Sequence, residues 1–152
     1  DELREGIEAR PFMVKPNLEE LAGISPRQEE WNQAAIAGAG RSLWESGIRL
    51  VVVSLGAEGL VAVGGESGQA WSGFVGLDRP AAETGSVGSG DAMVAGIAVA
   101  LLRRQPAEDA LRLGIACGAA NLLRPGPGVC DPADIERLRA AVVLRSIGQP
   151  AG

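Results

Sequence analysis

The segment Leu50-Val51-Val52-Val53-Ser54-Leu55 is an almost unbroken apolar run built on three consecutive valines. A strand without polar alternation has no face to give to water, so it belongs inside a sheet that is covered on both sides. Helices must supply that cover. Upstream, Trp31, Ala35, Leu43 and Trp44 recur at roughly helical spacing between about Pro26 and Ser46, and Gly47 follows as a C-terminal stop. Before them, Pro11-Phe12-Met13-Val14-Lys15 reads as a short strand ended by Pro16, which cannot donate to a ladder. The unit is strand, helix, strand. Glycine-rich turns at 56–59 and 64–68 then lead into Leu60–Val63 and Gln69–Phe74, expected as antiparallel strands added at a sheet edge. Helices are expected over about 88–104, Pro106–Leu123 and Pro132–Arg145, which makes an α/β sandwich the economical architecture.

Composition narrows the chemistry. The 152 residues are 46% hydrophobic, enough for one real core, and the net charge of -5 comes without any block of Lys or Arg, so nucleic acid is not an expected partner. No apolar run reaches the ~18 residues of a membrane span. No signal-peptide pattern opens the chain, and a cytoplasmic location is expected. Histidine is absent, which removes Ser-His-Asp and Cys-His hydrolysis and the common zinc sites. Cys117 and Cys130 are far from any CxxC spacing and read as reduced packing residues. Asp1 opens the chain without an initiator methionine, in what reads as the end of an amphipathic helix, so a fragment is expected.

The chemistry concentrates where Gly85-Ser86-Val87-Gly88-Ser89-Gly90-Asp91 runs directly into the apolar stretch Ala92–Leu102. A glycine-rich loop opening a helix offers unpaired N–H groups to an anion, and a carboxylate at the junction suits a reaction in which an alcohol loses its proton as a phosphate ester forms. The ordinary alternative is a turn followed by a capped helix. The loop matches neither a P-loop nor a Gly-x-Gly-x-x-Gly fingerprint. Lys15-Pro16-Asn17-Leu18-Glu19-Glu20 places a cation at a strand end and puts Asn17 and Glu20 on one side of a first helical turn. Their oxygens suit a hydrated Mg²⁺, and equally a capping box. Ser54-Leu55-Gly56-Ala57-Glu58-Gly59 is either an ordinary turn or a place where backbone approaches a nucleotide.

In this order, Lys15–Leu21, Val53–Gly59 and Ser86–Gly96, with Gly114–Gly126 behind them, resemble the ribokinase/PfkB carbohydrate kinase family. They are most similar to its sugar-phosphate branch of 1-phosphofructokinase, minor 6-phosphofructokinase and tagatose-6-phosphate kinase type. The resemblance implies a Rossmann-like three-layer α/β/α sandwich, with residues 1–152 as the C-terminal nucleotide-binding and catalytic half. The N-terminal sugar-binding half and lid have no counterpart here. It implies ATP and Mg²⁺ as cofactors, Asp91 as catalytic base, and Gly88, Ser89 and Gly90 as anion hole. It also implies Lys15, Ser54, Gly56 and Gly59 at the nucleotide, Asn121 at the adenine pocket, and Asn17 and Glu20 at the metal and phosphate. Ser89 stands where the family has Ala, a change that keeps the backbone N–H groups. Gly85 stands where it has Asp or Asn, which puts a monovalent-cation site in question. The expected activity is phosphoryl transfer from ATP to a hydroxyl of a phosphorylated ketohexose, the partner being a small sugar phosphate. The oligomeric state is open, a homodimer of the intact protein being one option, and this segment alone is expected to be inactive. The alternatives are a non-catalytic nucleotide-binding fragment and a kinase for an unphosphorylated sugar or nucleoside.

Overall fold

The computed structural model describes residues 2–78, 81–82 and 86–148. They fall into two compact units, Asp1–Ser72 with Arg145–Gly152, and Gly73–Leu144. Gly85 lies outside the described residues.

The first unit contains α1 (Glu2–Glu8), β1 (Met13–Val14), α2 (Leu18–Ile24), α3 (Gln33–Glu45), β2 (Leu50–Ser54) and β3 (Leu60–Gly64). β4 (Gln69–Phe74) leaves it and β5 (Val143–Ile147) re-enters it. The strands order as β1-β2-β3-β4-β5 in one sheet. β1 runs parallel to β2, with Val14 opposite Val51, and β2 runs antiparallel to β3, with Val52 opposite Ala62. The valine run is buried as its composition demands: Val51 and Val52 are 0% and Val53 1% exposed. Val51, Val53, Val61 and Val63 share one face with Leu21 of α2 and Ile36 and Ala37 of α3. Alternate residues Val52, Leu60, Ala62 and Trp71 are buried too, so both faces of the sheet are covered. Each such side chain withdrawn from water is worth about 1.5–3 kcal/mol.

Two expectations need correcting. α3 starts at Gln33 rather than near Pro26, because Asn32 caps it, its side chain accepting from Ala35 N–H at 3.0 Å. The last helix ends at Ala141 rather than Arg145: Val142 turns extended at φ -61°, ψ 126°, and β5 follows. Val142-Val143 breaks the helical preference of the residues before it, and pairing at the sheet edge rewards the extended form.

The second unit holds α4 (Ser89–Leu102), α5 (Ala107–Asn121) and α6 (Pro132–Ala141). α4 and α5 approach until their backbones nearly touch. A Cβ on Gly96 would lie 2.8 Å from Cys117 Sγ, 3.0 Å from Leu113 O and 3.1 Å from Gly114 Cα, and one on Gly114 would lie 3.1 Å from Met93 O. Only glycine permits that spacing. Ala116, Ala120, Leu123 and Leu138 form the core between α5 and α6. No helix among the described residues is long and apolar enough to cross a membrane.

Candidate functional site

In the first unit the candidate residues collect where β1 and β2 end. Ser54 N–H donates to Pro16 O at 3.0 Å, and Asn17 bridges Ser54 in parallel register, so the pairing of the two strands continues past the last residue of β1. That pairing brings Lys15 Nζ to 3.4 Å from Ser54 Oγ. Asn17 and Glu20 form a reciprocal capping box: Glu20 N–H donates to Asn17 Oδ1 and Asn17 N–H to Glu20 Oε2, each at 2.8 Å. The box engages one carboxylate oxygen of Glu20. After Ser54 the chain turns through a short 3₁₀ segment, Gly56–Glu58. Leu55 N–H donates to Gly59 O at 2.8 Å, and Gly56 and Gly59 take φ of +60° and +89°. A Cβ on Gly56 would meet nothing within 4 Å, so its backbone lies open. A cavity of about 570 Å³ adjoins this turn, lined by Asn17, Ser54, Leu55 and Glu58 and by Trp31 and Asn32 at the start of α3.

In the second unit the loop before α4 carries the other candidates. Gly88 is the N-cap of α4 with φ +83°, a conformation that other residues adopt only under strain. Ser89 N–H donates to Ser86 O at 3.1 Å and Ala92 N–H to Gly88 O at 2.9 Å. Between them Gly90 and Asp91 open the helix, where N–H groups have no intrahelical acceptor and the positive end of the macrodipole lies. Asp91 is exposed. It borders a cavity of about 610 Å³ walled by Ala92, Ala95, Val99, Cys117 and Cys130.

Asn121, the last residue of α5, is 1% exposed. Its Nδ2 donates to Val87 O and to Ser89 Oγ, both at 3.0 Å, and its Oδ1 accepts from Gly128 N–H at 2.7 Å. The amide therefore joins protein segments, and its polar atoms are engaged inside the unit. The second of those segments also backs the loop directly, since a Cβ on Gly88 would lie 2.9 Å from Gly128 N and 3.0 Å from Pro127 Cα.

Residues that sequence reasoning passed over hold this segment. Arg124 Nη2 reaches Asp131 Oδ2 at 2.7 Å and Asp134 Oδ2 at 3.5 Å, while Arg137 Nη1 donates to Asp134 Oδ1 at 2.7 Å and Arg137 also pairs with Asp78. Hydrogen bonding to Asp78, then to Asp134, holds the Arg137 guanidinium protonated well above its ordinary range. Asp131 in addition caps α6, accepting from Ala133 N–H at 2.9 Å, with Pro132 behind it. Asp before Pro at a helix start was the available signal. Both cysteines are free thiols, as expected. Burial, then the neighbouring Cys130, pushes Cys117 up to about 11, and burial raises Cys130 as well. Among the described residues no three His, Cys, Asp or Glu gather as a metal site.

Known proteins give this geometry a family. The model of the pfkB family carbohydrate kinases matches residues 1–134. Over 140 residues the chain is 34% identical to 1-phosphofructokinase of Escherichia coli (strain K12), covering 92% of this chain and 43% of that one. Over 131 residues it is 33% identical to ATP-dependent 6-phosphofructokinase isozyme 2 of Mycobacterium tuberculosis (strain H37Rv), covering 86% and 37% respectively. Phosphofructokinase-2 from Escherichia coli, crystallised in complex with potassium, superposes with a TM-score of 0.78 at 28% identity over 91% of this chain and 43% of that one. The chain thus spans less than half the length of each of these relatives. The α/β architecture is the ribokinase type that the resemblance implied. With both motif clusters held in that fold, the chain belongs to the pfkB family of carbohydrate kinases.

Proposed function

We propose that this chain supplies the nucleotide site and the catalytic base of an ATP-dependent kinase that phosphorylates a hydroxyl of a phosphorylated ketohexose. The observation that carries the reading is the start of α4: a left-handed Gly88 opens the helix, and Asp91 stands in its first turn. Relatives at 33–34% identity bearing phosphofructokinase names point to a sugar phosphate as acceptor.

Gly88, Ser89 and Gly90 form the cradle for the transferring group. Their backbone and the helix end favour the charge spread over the phosphoryl oxygens without reorganising at the moment of reaction. The acceptor hydroxyl attacks the γ-phosphorus, the ester P–O bond forms, and the P–O bond to the departing ADP breaks. The hydroxyl proton passes to the Asp91 carboxylate and from there to solvent. Lys15, Ser54, Gly56 and Gly59 hold the nucleotide at the strand ends, whereas the Asn121 amide, expected at the adenine pocket, is buried and engaged with protein atoms.

The residues present suit Mg²⁺, which takes one or two carboxylates and keeps several waters. The capping box leaves one carboxylate oxygen of Glu20 outside it, and Asn17 and Glu20 would hold the hydrated ion there. When bound, the ion neutralises charge on the nucleotide phosphates.

The test is ADP release by the full-length protein from MgATP with fructose 1-phosphate, fructose 6-phosphate, tagatose 6-phosphate, free fructose and a nucleoside as acceptors. One of the sugar phosphates should support turnover, and Asp91→Asn should lower kcat roughly 1,000-fold while ATP still binds. ATP binding without turnover on any acceptor would leave a nucleotide-binding segment instead. Preference for fructose or the nucleoside would move the protein to another branch of the family.

A further inference from the structure

Asn121 is a fully buried amide at the end of a helix that is otherwise apolar or small on its buried side, and burying it without partners would be costly. All its principal hydrogen-bonding capacity is met by backbone and by one hydroxyl. Two donors go to Val87 O and Ser89 Oγ, on the loop that leads into α4, and the acceptor takes Gly128 N–H. The orientation of the amide is dictated by these partners: rotated by half a turn, Nδ2 would oppose the Gly128 donor and Oδ1 would oppose the Val87 carbonyl.

We infer that Asn121 is a positioning residue for phosphoryl transfer, clasping the Val87–Gly90 loop to the Gly126–Gly128 loop so that the anion cradle keeps its shape through the reaction. The inference rests on the kinase reading above and adds to it a residue that touches neither ATP nor acceptor. Three features support it together. The clasp reaches the two residues flanking Gly88, Val87 and Ser89, so it fixes the left-handed turn from both sides. The segment it ties down is the one that leaves no room for a Cβ on Gly88. Val87 itself is 69% exposed, so this hydrogen bond supplies a restraint that burial of the residue does not.

Two substitutions separate the halves of the clasp. Asn121→Asp is isosteric and keeps an acceptor for Gly128 N–H, but it sets a carboxylate oxygen against the Val87 carbonyl. Asn121→Ala removes both halves. Amide exchange at Gly128 should be slow in the wild type and in Asn121→Asp, and faster by at least about tenfold in Asn121→Ala, while the α3 and β2 amides stay unchanged. In the transfer assay both variants should lose about 100-fold in kcat, the scale of a misplaced reacting geometry, with KM for ATP within a few-fold of the wild type. Acid should distinguish them. The buried carboxyl that Asn121→Asp introduces is raised by desolvation, and once protonated it donates again to Val87 O. Its kcat should therefore recover as pH falls, about tenfold per unit above that carboxyl's pKa, with no such recovery in Asn121→Ala.

Wild-type kcat in Asn121→Asp at neutral pH, or a raised KM with unchanged kcat in both variants, would overturn the positioning role. Fast exchange at Gly128 in the wild type would overturn the clasp itself. A wild type that transfers no phosphate, yet shows the expected exchange pattern, would instead sink the kinase reading and leave the clasp standing.

Discussion

The two units hold their candidate groups by opposite means. In the first, Lys15, Asn17 and Ser54 stand at the ends of paired strands, and their positions follow from the register of β1 on β2 and from a cap that spans three residues. In the second, Gly88 to Asp91 sit at a helix start whose shape depends on Gly128 and Asn121, thirty or more positions along the chain. Backbone pairing and a three-residue cap make the first cluster tolerant of single side-chain changes. A buried side chain and close contacts through glycines make the second one brittle.

Substitution at left-handed glycines should show that contrast most strongly. Gly88→Ala adds strain at φ +83° and drives a Cβ to 2.9 Å from Gly128 N. Transfer should fall about 100-fold in the ADP-release assay, as the cradle shifts. Gly56→Ala also sits at positive φ, +60°, but in open space. It should cost only about 1–2 kcal/mol in denaturant unfolding, because the left-handed penalty acts there alone. Comparable losses of kcat at saturating ATP in both variants would erase the distinction.

Helix glycines should divide in sign. Gly96→Ala pushes a Cβ into Leu113 O and Gly114 Cα, backbone that cannot swing aside, and should lower stability by about 1–3 kcal/mol. Gly38→Ala lies within α3 with nothing within 4 Å and should raise it by roughly 0.5–1 kcal/mol. Thermal scans would see these as shifts of about 2–4 °C per kcal/mol.

Asn17→Ala should cost about 0.5–2 kcal/mol through loss of the cap. Its effect on ATP affinity carries the sharper information: unchanged affinity would confine Asn17 to capping, whereas weaker MgATP binding by calorimetry would give it the phosphate role as well.

One further effect is confined to alkaline pH. Cys117 keeps its proton in the folded state up to about 11, against an ordinary value of 9.0. Between those values the unfolded chain has lost a proton that the folded chain retains, so stability should decline as pH rises through that window. Cys117→Ser should lessen the decline in pH-dependent unfolding, leaving the part due to Cys130, and alkylation of the wild type should stay slow at pH 8 because the thiolate is scarce.

Much of this could be read before any coordinates. The valine run announced a strand buried on both faces, the β3 and β4 hairpins followed their glycine turns, and α4 begins at the loop whose pattern proposed it. Those features depend on propensity and period, which act over a few residues. For Asn17 and Glu20 the sequence left metal binding and capping both open. The structure forms the cap, and the metal role stays a proposal to be measured. β5 escaped notice because residues 143–147 become a strand only where the sheet offers them a neighbour.

What the sequence determined alone is the inventory: which segments are strand or helix, where a carboxylate meets a glycine loop, and which chemistry lacks its residues for want of histidine. Tertiary structure alone decided how that loop is held. A buried amide can be satisfied only by partners brought to it, and Asn121 meets Val87, Ser89 and Gly128 because glycines at 96 and 114 let α4 and α5 close to backbone contact. No local pattern encodes such a meeting, since hydrogen-bond satisfaction in a core belongs to the packed fold rather than to neighbours in the chain.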